Sequence, residues 1–140
     1  MNLVRVGERF GGEFCLSQQE ILEFARAVGD LNPVHHDAEA ARKTRFGRII
    51  ASGPQPASIF MALTATYFSR TTAMLGLEFN LKFQKPVFAD EPYRMEWVVQ
   101  GVEFKEKLRG ELVSLAGTVI SPAGEVVLSG TGTILVTDKL

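Results

Sequence analysis

The sequence predicts an α+β domain in which a curled antiparallel sheet wraps around one buried helix. Three observations carry this. Patterning changes once along the 140 residues, from helical in the first half to strand-like in the second. Between the halves, Pro56, Ile59, Phe60, Met61, Leu63, Tyr67 and Phe68 place apolar groups on nearly every face of a helix, the pattern of a helix buried on all sides. Four strand-like runs then follow, joined by short connections, which makes neighbours antiparallel. Hydrophobic residues make up 46% of the chain, an ordinary globular value, and its length fits one domain over residues 1–140.

Each element has a local cause. Ser17-Gln18-Gln19-Glu20 forms a capping box, with the Ser17 hydroxyl placed for the Glu20 amide and the Glu20 carboxylate able to reach back. Ile21, Phe24, Ala25 and Val28 recur at helical spacing, and Gly29 supplies a left-handed stop. Asp37 is placed to cap a short second helix reaching Lys43, after which Phe46 and Gly47 lead into a loop. The all-round apolar helix, a run of ~13 residues, would be ~20 Å long and cross a small domain. Leu77, Phe79, Leu81 and Phe83 alternate with Glu78, Asn80, Lys82 and Gln84, and Tyr93, Met95, Trp97 and Val99 alternate with Arg94, Glu96, Val98 and Gln100. Further strands are expected at 111–120 and 125–136, with Ser121-Pro122-Ala123-Gly124 as the turn between them. The expected topology is a meander curled around the helix.

A net charge of −1 offers no basic field for a phosphate backbone, which argues against nucleic acid as a partner. Cys15 is the single cysteine, so an internal disulfide and a cysteine-built zinc site are excluded, and a reducing, cytoplasmic setting fits. The N-terminus lacks a basic region followed by an apolar run, so no signal peptide is expected. The apolar-rich stretch 57–68 is interrupted by Ser58, Thr64 and Thr66 and is too short to span a bilayer.

The chemistry concentrates in Gly29-Asp30-Leu31-Asn32-Pro33-Val34-His35. A carboxylate and an imidazole within six residues of each other, just after a helix, are what proton transfer at neutral pH needs. Taken alone, the same residues also suit a loop in which Asp30 is a cap, Asn32-Pro33 a turn and His35 a surface histidine; His36 and Asp37 offer competing assignments. A second feature is Ile49-Ile50-Ala51-Ser52-Gly53-Pro54, which runs into the apolar helix. Amides near Gly53 and Gln55 lie at its electropositive end, where a carbonyl oxygen gaining negative charge would be stabilised. A simple tight turn into a helix explains the same residues equally well.

Together, Phe24-Ala25, the Gly29–His35 motif with Asp37, Phe46-Gly47, Ile50-Ala51, Ser52-Gly53, Ala57-Ser58, Leu81, Phe83 and Pro86-Val87-Phe88 resemble the MaoC-like hydratases and dehydratases, which include the (R)-specific 2-enoyl-CoA hydratases. The resemblance runs from residue 17 to about 92. It implies the hot-dog fold, a sheet wrapped around a long helix. It also implies that Asp30 and His35 activate a water for addition across the C2=C3 bond of a trans-2-enoyl thioester, with Asn32 supporting the loop. The Gly53 amide would bind the thioester oxygen, and Ser58 matches a serine near the family's active site. The product would be a (3R)-3-hydroxyacyl-CoA, formed without metal or redox cofactor, since CoA is part of the substrate. The protein would act as a homodimer or higher homo-oligomer.

The chain departs from the family at Ser52-Gly53-Pro54-Gln55-Pro56, where His-Gly-Met is usual. Proline in a first helical turn is well tolerated, so the helix should still begin there. Ser52 and Gln55 would then face substrate and shift the choice of acyl group. Arg42, Lys43, Arg45 and Arg48 form a basic cluster that is either a solvated face or, through Arg48, a hold on the phosphates of a CoA handle. Two rival functions belong to other classes. A hot-dog fold also serves acyl-CoA thioesterases, and the altered Ser52–Pro56 segment is compatible with a non-catalytic acyl-CoA-binding module.

Overall fold

The computed structural model describes residues 1–139. A five-stranded antiparallel sheet holds β1 (Arg9–Cys15), β2 (Ala73–Phe83), β3 (Pro92–Lys105), β4 (Gly110–Ile120) and β5 (Val126–Thr137) in the order β1-β3-β4-β5-β2. Helices α1 (Gln18–Val28), α2 (Ala38–Arg42) and α3 (Pro54–Phe68) lie between β1 and β2 in the chain. This is the α+β, hot-dog arrangement, with α3 seated against the inner face of a sheet that is not closed.

Local chemistry sets the helices as the sequence predicts. Both halves of the capping box form, and Gly29 ends α1 at φ 78. Asp37 accepts from the amides of Glu39 and Ala40 at the start of α2. Helix α3 begins at Pro54, slightly earlier than the apolar pattern indicates, because Pro54 and Pro56 sit in the first turn where no amide is needed.

Three expectations need correction. The pattern predicted a simple meander, and β3-β4-β5 form one, but β2 pairs with β5 at the far edge instead of with β3. The connection 84–91 carries the chain across, and the β3 edge is taken by β1. The second correction is β1 itself, which the strand patterning did not reveal. Phe10 and Phe14 face inward, but Gly11 and Gly12 interrupt the β-forming pattern. Gly11 is demanded by a close approach, since a Cβ there would lie 2.6 Å from the Met95 carbonyl oxygen on β3.

Third, α3 is not buried on all sides. Phe60, Thr64 and Phe68 face the sheet, while Pro54, Ser58, Ala62, Ala65 and Thr66 remain exposed. The edge strand β2 adds Leu75, 61% exposed, and Leu77, 50% exposed, to the apolar surface.

The core between α3 and the sheet is aromatic. Trp97 stacks on Phe60 with centroids 4.0 Å apart and donates its indole N–H to the Phe60 carbonyl at 2.9 Å. Phe10 stacks on Tyr67 at 4.1 Å near the other end of the helix. Register breaks between Val99 and Gly101 and between Gly76 and Glu78 add local bend to the curled sheet. The N-terminal segment is tied down by the buried Glu111 carboxylate on β4, which accepts from the amides of Leu3 at 3.0 Å and Val4 at 2.9 Å. Among the described residues, no helix is long and apolar enough to cross a membrane.

Candidate active site

The loop after α1 folds so that Asp30 and His35 meet. Gly29 in the left-handed region turns the chain, and the Asp30 amide donates back to Ala25 at 2.8 Å. Asn32 then caps a single 3-10 turn over Pro33–His35, its side chain accepting from the Val34 amide at 3.3 Å. That turn brings His35 Nε2 to 3.2 Å from Asp30 Oδ2. His35 is buried, whereas the Asp30 side chain stays 30% exposed. The pair is therefore open to solvent from the carboxylate side.

Hydrogen bonds assign the atoms. His35 Nδ1 lies 2.7 Å from the Ile50 carbonyl oxygen, which can only accept, so Nδ1 carries a proton and Nε2 is the atom left to exchange one. Asp30 Oδ1 accepts from the Asn32 amide at 3.1 Å, and Oδ2 accepts from the Ser52 hydroxyl at 2.5 Å. The Ser52 hydroxyl, then the Asn32 amide, hold the Asp30 carboxyl below the usual carboxylate range, against an opposing effect of burial. His36 does not compete for the role of His35. Its Nε2–H donates to the Asp30 carbonyl at 2.6 Å and braces the backbone of the acid.

The structure redistributes the other candidates. Ser52 is fully buried and serves Asp30, so it is not a surface offered to substrate. Nothing in its sequence context signalled this, because its partner lies in the loop after α1. Asn32 acts through its backbone amide on Asp30 and through its cap on the turn, and its side chain does not reach the pair. Gln55 turns away from the pocket toward α1, donating from Nε2 to the Glu20 carbonyl at 3.3 Å, while its buried Oε1 has no partner among the described residues. The Gln55 amide is also occupied, donating to the Ser52 carbonyl at 2.9 Å. The Ser58 hydroxyl bonds back to Pro54 at 2.6 Å on the open face of α3. Arg48 is committed to Glu91 at 2.9 Å and lies over the Phe88 ring at 4.0 Å.

Gly53 differs from these. Its amide has no acceptor among the described residues, and it immediately follows Ser52, which holds Asp30. Its φ of −50 is open to any residue, so space is what limits this position. A Cβ there would sit 3.3 Å from the Phe83 ring. Gly53 lines a cavity of about 340 Å³ together with Phe46, Ala51, Pro56, Phe83 and Lys85. That volume lies in the range of small-molecule sites.

An acid–base pair, a carboxylate kept ionised and, one residue after the Ser52 that holds it, an amide with no acceptor among the described residues are the kinds of group that proton transfer next to a polarised carbonyl uses, although neither Asp30 nor His35 lines the cavity at Gly53. Comparison with known proteins agrees with this class. Residues 5–120 match the MaoC like domain, and the chain belongs to that family. It is 25% identical over 134 residues to a mitochondrial 3-hydroxyacyl-[acyl-carrier-protein] dehydratase, FERN, of Solanum lycopersicum, covering 96% of this chain and 78% of that protein. It is 27% identical over 124 residues to a 3-hydroxybutyryl-CoA dehydratase of Methylorubrum extorquens, covering 89% of this chain and 75% of that one. The solved R-hydratase PhaJ1 of Pseudomonas aeruginosa superposes with a TM-score of 0.85 at 26% identity, over 97% of this chain and 84% of that chain.

Removing the Ser52 hydroxyl tests the electrostatics directly. Ser52→Ala is expected to raise the Asp30 pKa toward the ordinary carboxylate range, because the largest cause of its lowering is lost. A carboxyl-carbon NMR titration of Asp30 reads this, and an unchanged titration would remove Ser52 from the account.

Proposed function

We propose that this chain is a hydro-lyase that reversibly hydrates a trans-2-enoyl-CoA to a (3R)-3-hydroxyacyl-CoA. The observation that carries the reading is the Asp30–His35 pair at 3.2 Å, held by the hydroxyl of Ser52, the residue directly before Gly53, whose amide has no acceptor among the described residues. The dehydratase and hydratase names of its relatives support the reaction class.

The geometry suits the steps. The thioester oxygen accepts from the Gly53 N–H, which draws electron density from C3 and stabilises the enolate as it forms. A water hydrogen-bonded to both Asp30 and His35 Nε2 from the open side of the pair attacks C3. One water proton passes to the pair as the C3–O bond forms, and the pair returns one proton to C2 as the enolate collapses. One water is consumed and the pair regains its starting protonation. Asp30 Oδ2 and His35 Nε2 lie 3.2 Å apart and either can hold the proton, so it is assigned to the pair.

The reading extends to a cytoplasmic homodimer acting on CoA-linked acyl groups, with no added cofactor. A second copy would cover the exposed face of α3 and the apolar edge strand β2, removing an unpaired strand edge. Loss of the conjugated enoyl absorbance of crotonyl-CoA and of branched or aromatic enoyl-CoAs, without release of free thiol, is the expected result with purified protein. Thiol release would favour a thioesterase. Activity confined to enoyl groups on an acyl carrier protein would replace CoA as the handle.

A further inference from the structure

The Ile50 carbonyl that fixes His35 belongs to a short strand-like clip. Ile50 and Phe88 form an isolated antiparallel bridge, flanked by the Ala51 amide to the Val87 carbonyl at 2.8 Å and the Ala89 amide to the Ile49 carbonyl at 3.3 Å. In this pattern the central residues are the non-hydrogen-bonded pair, so their own N–H and C=O groups point outward from the clip. The Ile50 carbonyl points to His35 Nδ1. On the opposite side, the Phe88 amide donates to the Tyr93 hydroxyl at 2.9 Å.

From Tyr93 the contacts return to the start of the clip. The buried Tyr93 donates its hydroxyl to Glu91 Oε2 at 3.1 Å, and Glu91 accepts from Arg48 at 2.9 Å. Arg48 lies 4.0 Å over the Phe88 ring and is two residues before Ile50 in the chain. Both strands of the clip are thus held by one closed set of side chains. The Arg48 guanidinium keeps the Glu91 carboxyl below its usual range, so the ionic link persists at neutral pH.

We infer that Tyr93, Glu91 and Arg48 form a clamp that positions the Ile50 carbonyl and thereby sets the tautomer and ring orientation of His35. These are positioning residues, acting on the reaction only through His35. The inference deepens the proposed hydratase reading and rests on it for its catalytic consequence. A hydrogen bond at one imidazole nitrogen decides which state the other nitrogen presents. A carbonyl free to shift no longer holds the proton on Nδ1, and Nε2 then loses its alignment with Asp30.

The test uses the full chain, with Tyr93→Phe and Glu91→Gln. His35 and His36 are the only histidines, and the carbonyl acceptors beside them, Ile50 at Nδ1 of His35 and Asp30 at Nε2 of His36, favour opposite tautomers of the neutral rings, so imidazole ¹⁵N shifts separate them at alkaline pH. At alkaline pH, Tyr93→Phe is expected to lower the Nδ1–H population of His35. With crotonyl-CoA, kcat should fall about tenfold or more while KM stays near the wild-type value, the signature of misplacement without lost binding. Glu91→Gln should move both readouts less, in the same direction. It decides alone if Tyr93→Phe does not fold. An unmoved His35 tautomer overturns the clamp, as does a shifted tautomer with kcat unchanged or with the loss confined to KM. If the wild-type protein hydrates no enoyl thioester, the functional reading falls and the tautomer comparison still decides the clamp.

Discussion

Replacing Asp30 with asparagine is expected to lower enoyl-thioester hydration by about 10³-fold, within the range that one positioned proton-transfer group contributes. The substitution suits the site. An asparagine oxygen can still accept from the Asn32 amide or the Ser52 hydroxyl, so the loop has no reason to rearrange. What is lost is the charge and the basic oxygen facing His35 Nε2 at 3.2 Å. Wild-type activity should carry an acid limb below the usual carboxylate range, because Ser52 and then Asn32 lower the Asp30 pKa. The sign for stability is the same. A carboxylate whose folded pKa is depressed contributes stability that is present above its unfolded pKa and lost as pH falls through the folded value. The stability gap between wild type and Asp30→Asn should therefore close in acid. Initial rates with crotonyl-CoA and pH-dependent unfolding read the two effects. An asparagine variant with wild-type kcat would remove Asp30 from the reaction.

Parts of the site written in local chemistry were legible in the sequence. The capping box at Ser17, the left-handed Gly29 and the cap at Asp37 each act within a few residues, and each forms as expected. The Asp30–His35 contact belongs to the same class, since one turn capped by Asn32 brings the side chains together. Ser52 is a different case. Its partner Asp30 is 22 residues away, and only the packing of the first loop against the start of α3 shows that the serine serves the carboxylate. Arg48 has the same difficulty, since Glu91 lies 43 residues further on and turns an apparent phosphate ligand into a structural ion pair. Strand β1 was hidden because Gly11 is required by the close approach of β3, and neither it nor Gly12 carries a strand signal of its own. The place of β2 beside β5 depends on the path of 84–91 over the site, which no alternation of side chains encodes. The exposed face of α3 shows that an apolar pattern does not by itself tell a helix buried on all sides from one with an open face.

The largest effect on stability is expected at Trp97. The ring is fully buried on β3, stacked on Phe60 of α3 at 4.0 Å and meeting Phe79 of β2 edge-on at 6.0 Å. Its partner across the ladder is Gly117, where a Cβ would come within 2.6 Å of the indole, so the sheet leaves this space for the ring alone. Truncation to alanine should cost about 3–5 kcal/mol, combining lost burial with a cavity that neither Gly117 nor the helix can fill. Trp97→Phe should cost less, because an aromatic face remains against Phe60 while the indole bond to its carbonyl is lost. Urea unfolding of both variants separates the contributions of ring volume and hydrogen bond. An alanine variant as stable as wild type would mean that α3 is held by something other than this ring. The consequence reaches the chemistry as well. Phe60 lies about two turns along α3 from Gly53, so the contact that sets the depth of the helix also sets where the Gly53 amide stands relative to Asp30. At temperatures where it remains folded, Trp97→Phe should therefore keep more hydratase activity than Trp97→Ala, in the same order as their stabilities.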